Sequence, residues 1–137
     1  MKEEKSRLSH VELATVLVAL IVVSMQVVPK FTQATEASRT DELIQGLQQM
    51  RTQIKLYSAH NENRWPPTDS FESFEAAMTD TDGQREPYVE KIPVNPYNSL
   101  NTVRFDGKPA GANQAGWRFD TKSGVFQADN SEKHAVL

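Results

Sequence analysis

The sequence predicts an α+β chain in which one long N-terminal helix packs on a small antiparallel sheet. Three observations predict it. A nearly unbroken apolar run extends from Leu8 to Val28. Apolar residues then recur at Leu43, Leu47, Met50, Ile54 and Tyr57, in steps of four and three, which is the repeat of one helix face. Short runs rich in aromatic and β-branched residues follow toward the C-terminus, separated by turn residues.

The chain has 137 residues, enough for one small domain and an apolar helical segment. Without that segment roughly 100 residues remain, so the head can bury only a modest core. The net charge of -3 argues against a general nucleic-acid binder. There is no cysteine, which excludes a disulfide framework, a thiolate metal site and a cysteine nucleophile.

Residues 1–7, MKEEKSR, form a short, charged, leader-like segment. The apolar helix covers 8–29. The stretch from Leu8 to Val28 is about 30 Å long as a helix, which just matches a bilayer core. Lys2, Lys5 and Arg7 precede it, so the N-terminus of this single-pass segment is expected in the cytoplasm and the head on the other side of the membrane. The run ends in Gln26, Pro29 and Lys30 rather than in the small-x-small site of a secretory signal. Glu12 lies near the start of the run, where an ionisable group is costly and marks a functional site by default. Pro29 closes it and is expected to kink or locally melt the helix.

The head covers 30–137 and includes the amphipathic half of the long helix. Ile44 and Leu56 widen the apolar stripe, and Gly46 inside it marks close packing. Gln33, Glu36, Arg39, Asp41, Glu42, Gln48, Arg51 and Lys55 fill the other faces. The helix is expected to stop near Asn61–Asn63, ahead of Trp65-Pro66-Pro67. Thr68, Asp69 or Ser70 can cap a short helix through Phe71, Phe74, Ala77 and Met78. Tyr88 to Tyr97, with Pro93 and Pro96, reads as an ordered extended loop rather than a strand. The strand candidates are 102–105, 116–120 and 125–128, with Thr121-Lys122-Ser123-Gly124 as the hairpin turn between the last two. The tail from Asn130 to Leu137 is expected to be polar and frayed.

The segment LSHVELATVLVALIVVSMQVVPKF resembles the N-terminal methylation segment of type IV pilins and type II secretion pseudopilins. A short charged leader, a glutamate close to the start of an apolar helix and a proline at the Glu12-to-Pro29 spacing carry the resemblance. The Trp65-Pro66-Pro67-Thr68 connector, the Lys91-Ile92-Pro93-Val94-Asn95-Pro96-Tyr97 loop and the Gly116-Trp117 hairpin resemble a G-type pseudopilin head. The resemblance implies a cut by prepilin peptidase between Arg7 and Leu8, with Leu8 as the first residue of the mature chain. It also implies an encounter of Glu12 with the N-terminal amine of a neighbouring subunit, an inner-membrane assembly platform as a partner, and a single-pass inner-membrane localisation with the head in the periplasm. The family has glycine before the cut where this chain has Arg7, and an apolar residue where it has His10. If Leu8 is not freed, Arg7 or His10 of an adjacent copy is the cation open to Glu12.

These features make the expected function that of a structural subunit of a type II secretion pseudopilus or type IV pilus-like filament, self-assembling through Leu8, Glu12 and Pro29 of its N-terminal helix. The alternatives are a minor pilin and a non-polymerising single-pass anchored binding module. An enzyme is not expected, because His10, His60 and His134 are scattered and no triad, ligand spacing or phosphate loop occurs. No cofactor is expected. The Asp80-Thr81-Asp82-Gly83 run has only the opening of a calcium loop. The calcium ion that the resemblance implies near the C-terminal strands is not carried over. Asp106, Asp120 and Asp129 lie there, but the hairpin turn is too short for the family's acidic loop.

Overall fold

The computed structural model describes residues 9–81, 83 and 85–137, without the side chains of 22–34. The elements are α1 (His10–His60), α2 (Phe71–Thr79), β1 (Val103–Arg104), β2 (Trp117–Asp120), β3 (Val125–Ala128) and α3 (Glu132–Ala135). The chain divides into two compact units, Met1–Ser38 and Arg39–Leu137.

In the first unit, Val11, Leu13, Val16, Leu17, Val18, Leu20 and Ile21 are all exposed. The expected membrane placement is not supported: among the described residues no helix is long and apolar enough to cross a membrane. Between Val11 and Ile21 the apolar run is interrupted by Glu12 and Thr15. The single-pass inner-membrane localisation with a periplasmic head is therefore corrected.

In the second unit the amphipathic stripe does what its spacing predicts. Leu43, Leu47, Met50 and Ile54 are buried in one cluster with Phe74, Met78, Val89, Ile92, Val103, Trp117, Phe119, Phe126 and Ala128. Tyr57 packs against that cluster at its edge. Leu56 does not widen the stripe; it is exposed. A Cβ at Gly46 would stand 3.2 Å from Trp117 Cη2 and 3.5 Å from Pro93 Cβ, so the glycine lets the indole approach the helix backbone. The indole N–H donates to the Pro93 carbonyl at 2.7 Å, which satisfies its one polar atom inside the core.

α1 ends where the asparagines allow it. Glu62 and Asn63 adopt left-handed φ values of 57° and 61°, and the Asn63 N–H donates to the Ser58 carbonyl at 2.8 Å, closing the last turn. Ser70 is the cap of α2, its hydroxyl accepting from the Ser73 N–H at 3.1 Å. Among the described residues no helix or strand intervenes between Thr79 and Val103. The loop there is hooked by Asn95, which is fully buried. Its Nδ2 donates to the Gly116 carbonyl at 2.8 Å and to Asn130 Oδ1 at 3.0 Å, and its Oδ1 accepts from the Tyr97 N–H.

The sheet is mixed, with order β1-β2-β3, which corrects the all-antiparallel expectation. β2 and β3 form the expected hairpin, with Asp120 opposite Val125 and Trp117 opposite Ala128. Gly124 supplies the positive φ of the turn, 70°. β1, however, pairs parallel to β2, Val103 opposite Trp117. Asp106-Gly107 does not reverse the chain into a hairpin. Residues 105–116 instead make an excursion and return, so that both strands enter the sheet from the same end. The tail is also not frayed. Ser131 caps α3, and His134 and Ala135 are buried.

Candidate functional site

The residues that the sequence singles out for assembly lie at the start of α1. Ser9 is the residue before the helix. Its hydroxyl accepts from the Val11 N–H at 3.2 Å and its carbonyl from the Leu13 N–H at 3.0 Å. The Glu12 carboxylate reaches back to accept from the Ser9 N–H at 2.9 Å. This is a reciprocal capping box, in which serine and a glutamate three residues on each satisfy a backbone donor that the helix itself leaves open. The carboxylate also faces the positive end of the helix dipole. The Ser-x-x-Glu pattern stands in the sequence at Ser9–Glu12 and signals this role. Arg7 and Leu8 lie outside the described residues, as does the side chain of Pro29. His10 is exposed.

Beyond Glu12 and Thr15 the exposed helix surface up to Ile21 is apolar. Val11 is 74% exposed, and Leu13, Val16, Leu17, Val18, Leu20 and Ile21 lie between 49% and 60%. Successive residues 16, 17 and 18 point in directions about 100° apart on a helix, so these side chains form no stripe. A helix that is apolar all round is a buried helix.

The densest polar site of the head is formed by Arg104, Asp129 and the 106–116 excursion. Asp129 is fully buried. Its carboxylate accepts from Arg104 Nε at 2.9 Å and Nη2 at 2.6 Å. It also accepts from the backbone N–H groups of Gly111, Ala112, Gln114 and Ala115, between 3.0 and 3.3 Å. Burial pushes the carboxyl pKa up, but the Arg104 hydrogen bond and the amides of Ala115, Gln114 and Gly111 outweigh it and hold it below the usual carboxylate range. Arg104 also donates from Nη1 to Asp106 Oδ1 at 2.6 Å and from Nη2 to the Pro109 carbonyl at 2.5 Å. Its pKa is raised, first by the hydrogen bond to Asp129. Gly111, at a φ of 98°, packs against the Ser131–Glu132 backbone, where no side chain fits. The sequence marks Asp129 and Asp106 as acidic residues of this region but gives no sign that Arg104 binds both.

The calcium ion implied by the resemblance does not fit these residues. The carboxylates of Asp106 and Asp129 are both spent on the Arg104 guanidinium, and Asp120 serves the hairpin turn by accepting from the Lys122 N–H at 2.9 Å. Among the described residues no group of three or more His, Asp or Glu side chains is placed to hold a metal ion. In the loop at 80–85, Asp82 lies outside the described residues. His60 and His134 are held separately, His60 Nδ1 3.2 Å from the Tyr88 hydroxyl and His134 Nδ1 2.7 Å from Asn130 Nδ2.

No family model, curated protein or solved structure matches the chain.

Proposed function

We propose that the chain is a structural, pilin-like subunit that assembles with copies of itself, or with similar subunits, into a pseudopilus-type or type IV pilus-type filament through its N-terminal helix. The observation that carries this reading is the set of exposed apolar side chains that point in all directions around α1 from Val11 to Ile21, interrupted by Glu12 and Thr15. Burying seven such side chains against like helices offers on the order of 1 kcal/mol each for the half that is exposed. That is commensurate with the 8 kcal/mol or so of a micromolar association before its entropic cost. The head, with its helix stripe folded under a three-stranded sheet, has the α+β form the reading requires. On this reading prepilin peptidase cuts between Arg7 and Leu8, and Glu12 meets a cation of the neighbouring copy as the helices pack. A carboxylate entering an apolar bundle needs such a partner.

The capping box favours a second reading, a binding module that does not polymerise, in which Glu12 only starts its own helix. One substitution separates the two. Glu12→Gln keeps the capping hydrogen bond, because glutamine serves in the same box, but removes the charge. If Glu12 pairs between copies, Glu12→Gln raises the concentration needed for assembly about tenfold or more, the effect of losing some 1.4 kcal/mol, while the helix content by circular dichroism is unchanged. Filament formation by Glu12→Gln at the wild-type concentration would reduce Glu12 to a cap.

A further inference from the structure

The Arg104 guanidinium lies among oxygens of the kind that hard metal ions select. Asp129 presents both carboxylate oxygens to it, Asp106 one, and Pro109 a backbone carbonyl; the Lys108 carbonyl stands 3.5 Å from Nη1. Two carboxylates and two main-chain carbonyls, from the 106–109 loop and from Asp129 beyond β3, make up most of a calcium coordination shell, which takes six to eight oxygens. The carboxylates contribute two negative charges, which a divalent ion would balance and which Arg104 balances by half. The amides of Gly111, Ala112, Gln114 and Ala115 supply further compensation to Asp129. Arg104 comes from β1, an edge strand of the sheet, and its side chain is only 10% exposed. The guanidinium is thus delivered by the fold itself to the carboxylates of Asp106 and Asp129.

We infer that Arg104 is a built-in cation: it fills an oxygen cage formed by Asp106, Asp129 and the 108–109 carbonyls, orders the 106–116 excursion, and makes the head independent of calcium. The inference does not depend on whether the chain polymerises. A head with its own cation keeps its loop at any ambient calcium level, and its folding cannot be gated by that ion. The guanidinium is tethered to β1 and stays charged throughout the accessible pH range, so it is not lost by dilution or chelation as a free ion is.

The test is the thermal unfolding of the full chain, followed by the fluorescence of the buried Trp117, in EDTA and in 5 mM calcium chloride. The wild-type midpoint is expected to agree within about 1 °C in the two buffers, since an ion that does not bind the native state does not shift it. A wild-type midpoint several degrees higher in calcium would overturn the inference. Arg104→Ser vacates the cage without removing any of its oxygens. It is expected to unfold at a lower temperature in EDTA and to recover roughly 4–8 °C in calcium, as for a sub-millimolar site in a domain of this size. A folded Arg104→Ser whose midpoint ignores calcium would show that the oxygens do not form a cation cage. Should Arg104→Ser not fold in either buffer, Arg104→Lys decides. Its ammonium keeps a charge in the cage while losing the fork, so its midpoint is expected below wild type and insensitive to calcium. A calcium-stabilised Arg104→Lys would count against occupancy by the side chain.

Discussion

At the residue scale the head turns on Asp129. Its carboxylate joins elements far apart in the chain: the Arg104 side chain from β1, the amides of the 111–115 backbone and its own place at the end of β3. An isosteric amide would face these donors with donors of its own and would leave Arg104 with Asp106 as its carboxylate partner at this site. Asp129→Asn is therefore expected to cost about 3–5 kcal/mol, the range for breaking one side of a buried pair, measured by urea unfolding at neutral pH. The pH dependence follows from the same contacts. Burial raises the carboxyl pKa, while Arg104 and the amides lower it further than burial raises it, so the folded value lies below the unfolded one of about 3.9. The stability from this group is fully present above pH 4 and is lost as the pH falls through the folded pKa. Wild type is expected to lose stability more steeply than Asp129→Asn between pH 4 and pH 2. Parallel acid profiles would show that Asp129 contributes no such term.

At the element scale the helix-to-sheet interface is set by Gly46. Trp117 is fully buried and pinned by its bond to Pro93, so it has little room to yield. Gly46→Ala gains about 1 kcal/mol of helix propensity and meets the indole at 3.2 Å. The two effects oppose each other, and a net change within about 1 kcal/mol is expected. Gly46→Leu drives further carbons into the ring and is expected to destabilise by roughly 1–3 kcal/mol, read as a lowered urea midpoint with an unchanged slope. This interface was legible in the sequence because it has a period: the 43, 47, 50, 54 spacing and an inconsistent glycine within it point to a packed stripe. The ends of α1 and α2 and the β2–β3 hairpin were legible for a similar reason, through asparagine, serine, proline and glycine at fixed offsets. What lacked a local signal was misread. The parallel pairing of β1 depends on where the 106–116 excursion returns, and that is fixed by hydrogen bonds to Asp129, a residue distant in sequence. Arg51 looked like a solvated charge, yet it donates to the Phe126 carbonyl at 2.9 Å and the Leu137 carbonyl at 2.7 Å, tying the tail that composition alone suggested would fray. The Ser9–Glu12 cap carried a plain local signal, but the cost of a carboxylate in an apolar run drew attention away from it.

At the scale of the whole molecule, the two units differ in what they leave undone. Every member of the buried cluster, from Leu43 to Ala128, belongs to the unit Arg39–Leu137. None of the described residues of the unit Met1–Ser38 is among them, and its described apolar side chains from Val11 to Ile21 are exposed. A chain beginning at Arg39 should therefore keep the head. Its helix would start beside Thr40, which can serve as a cap, with Asp41 and Glu42 in the first turn facing the positive end of the shortened helix. Thr40 also lies 2.8 Å, hydroxyl to hydroxyl, from Tyr97, which anchors that end to the head. The expected result is a midpoint within about 3 °C of the full chain, because the lost turns fray at a cost below about 1 kcal/mol, together with complete loss of self-association in sedimentation. The combination is what assigns the two roles. A shortened chain that still associated would place the assembly surface on the head. One that failed to fold would mean that residues before Arg39 complete the core, and the exposed circumference of the N-terminal helix would then no longer be surplus to the fold and available to other copies.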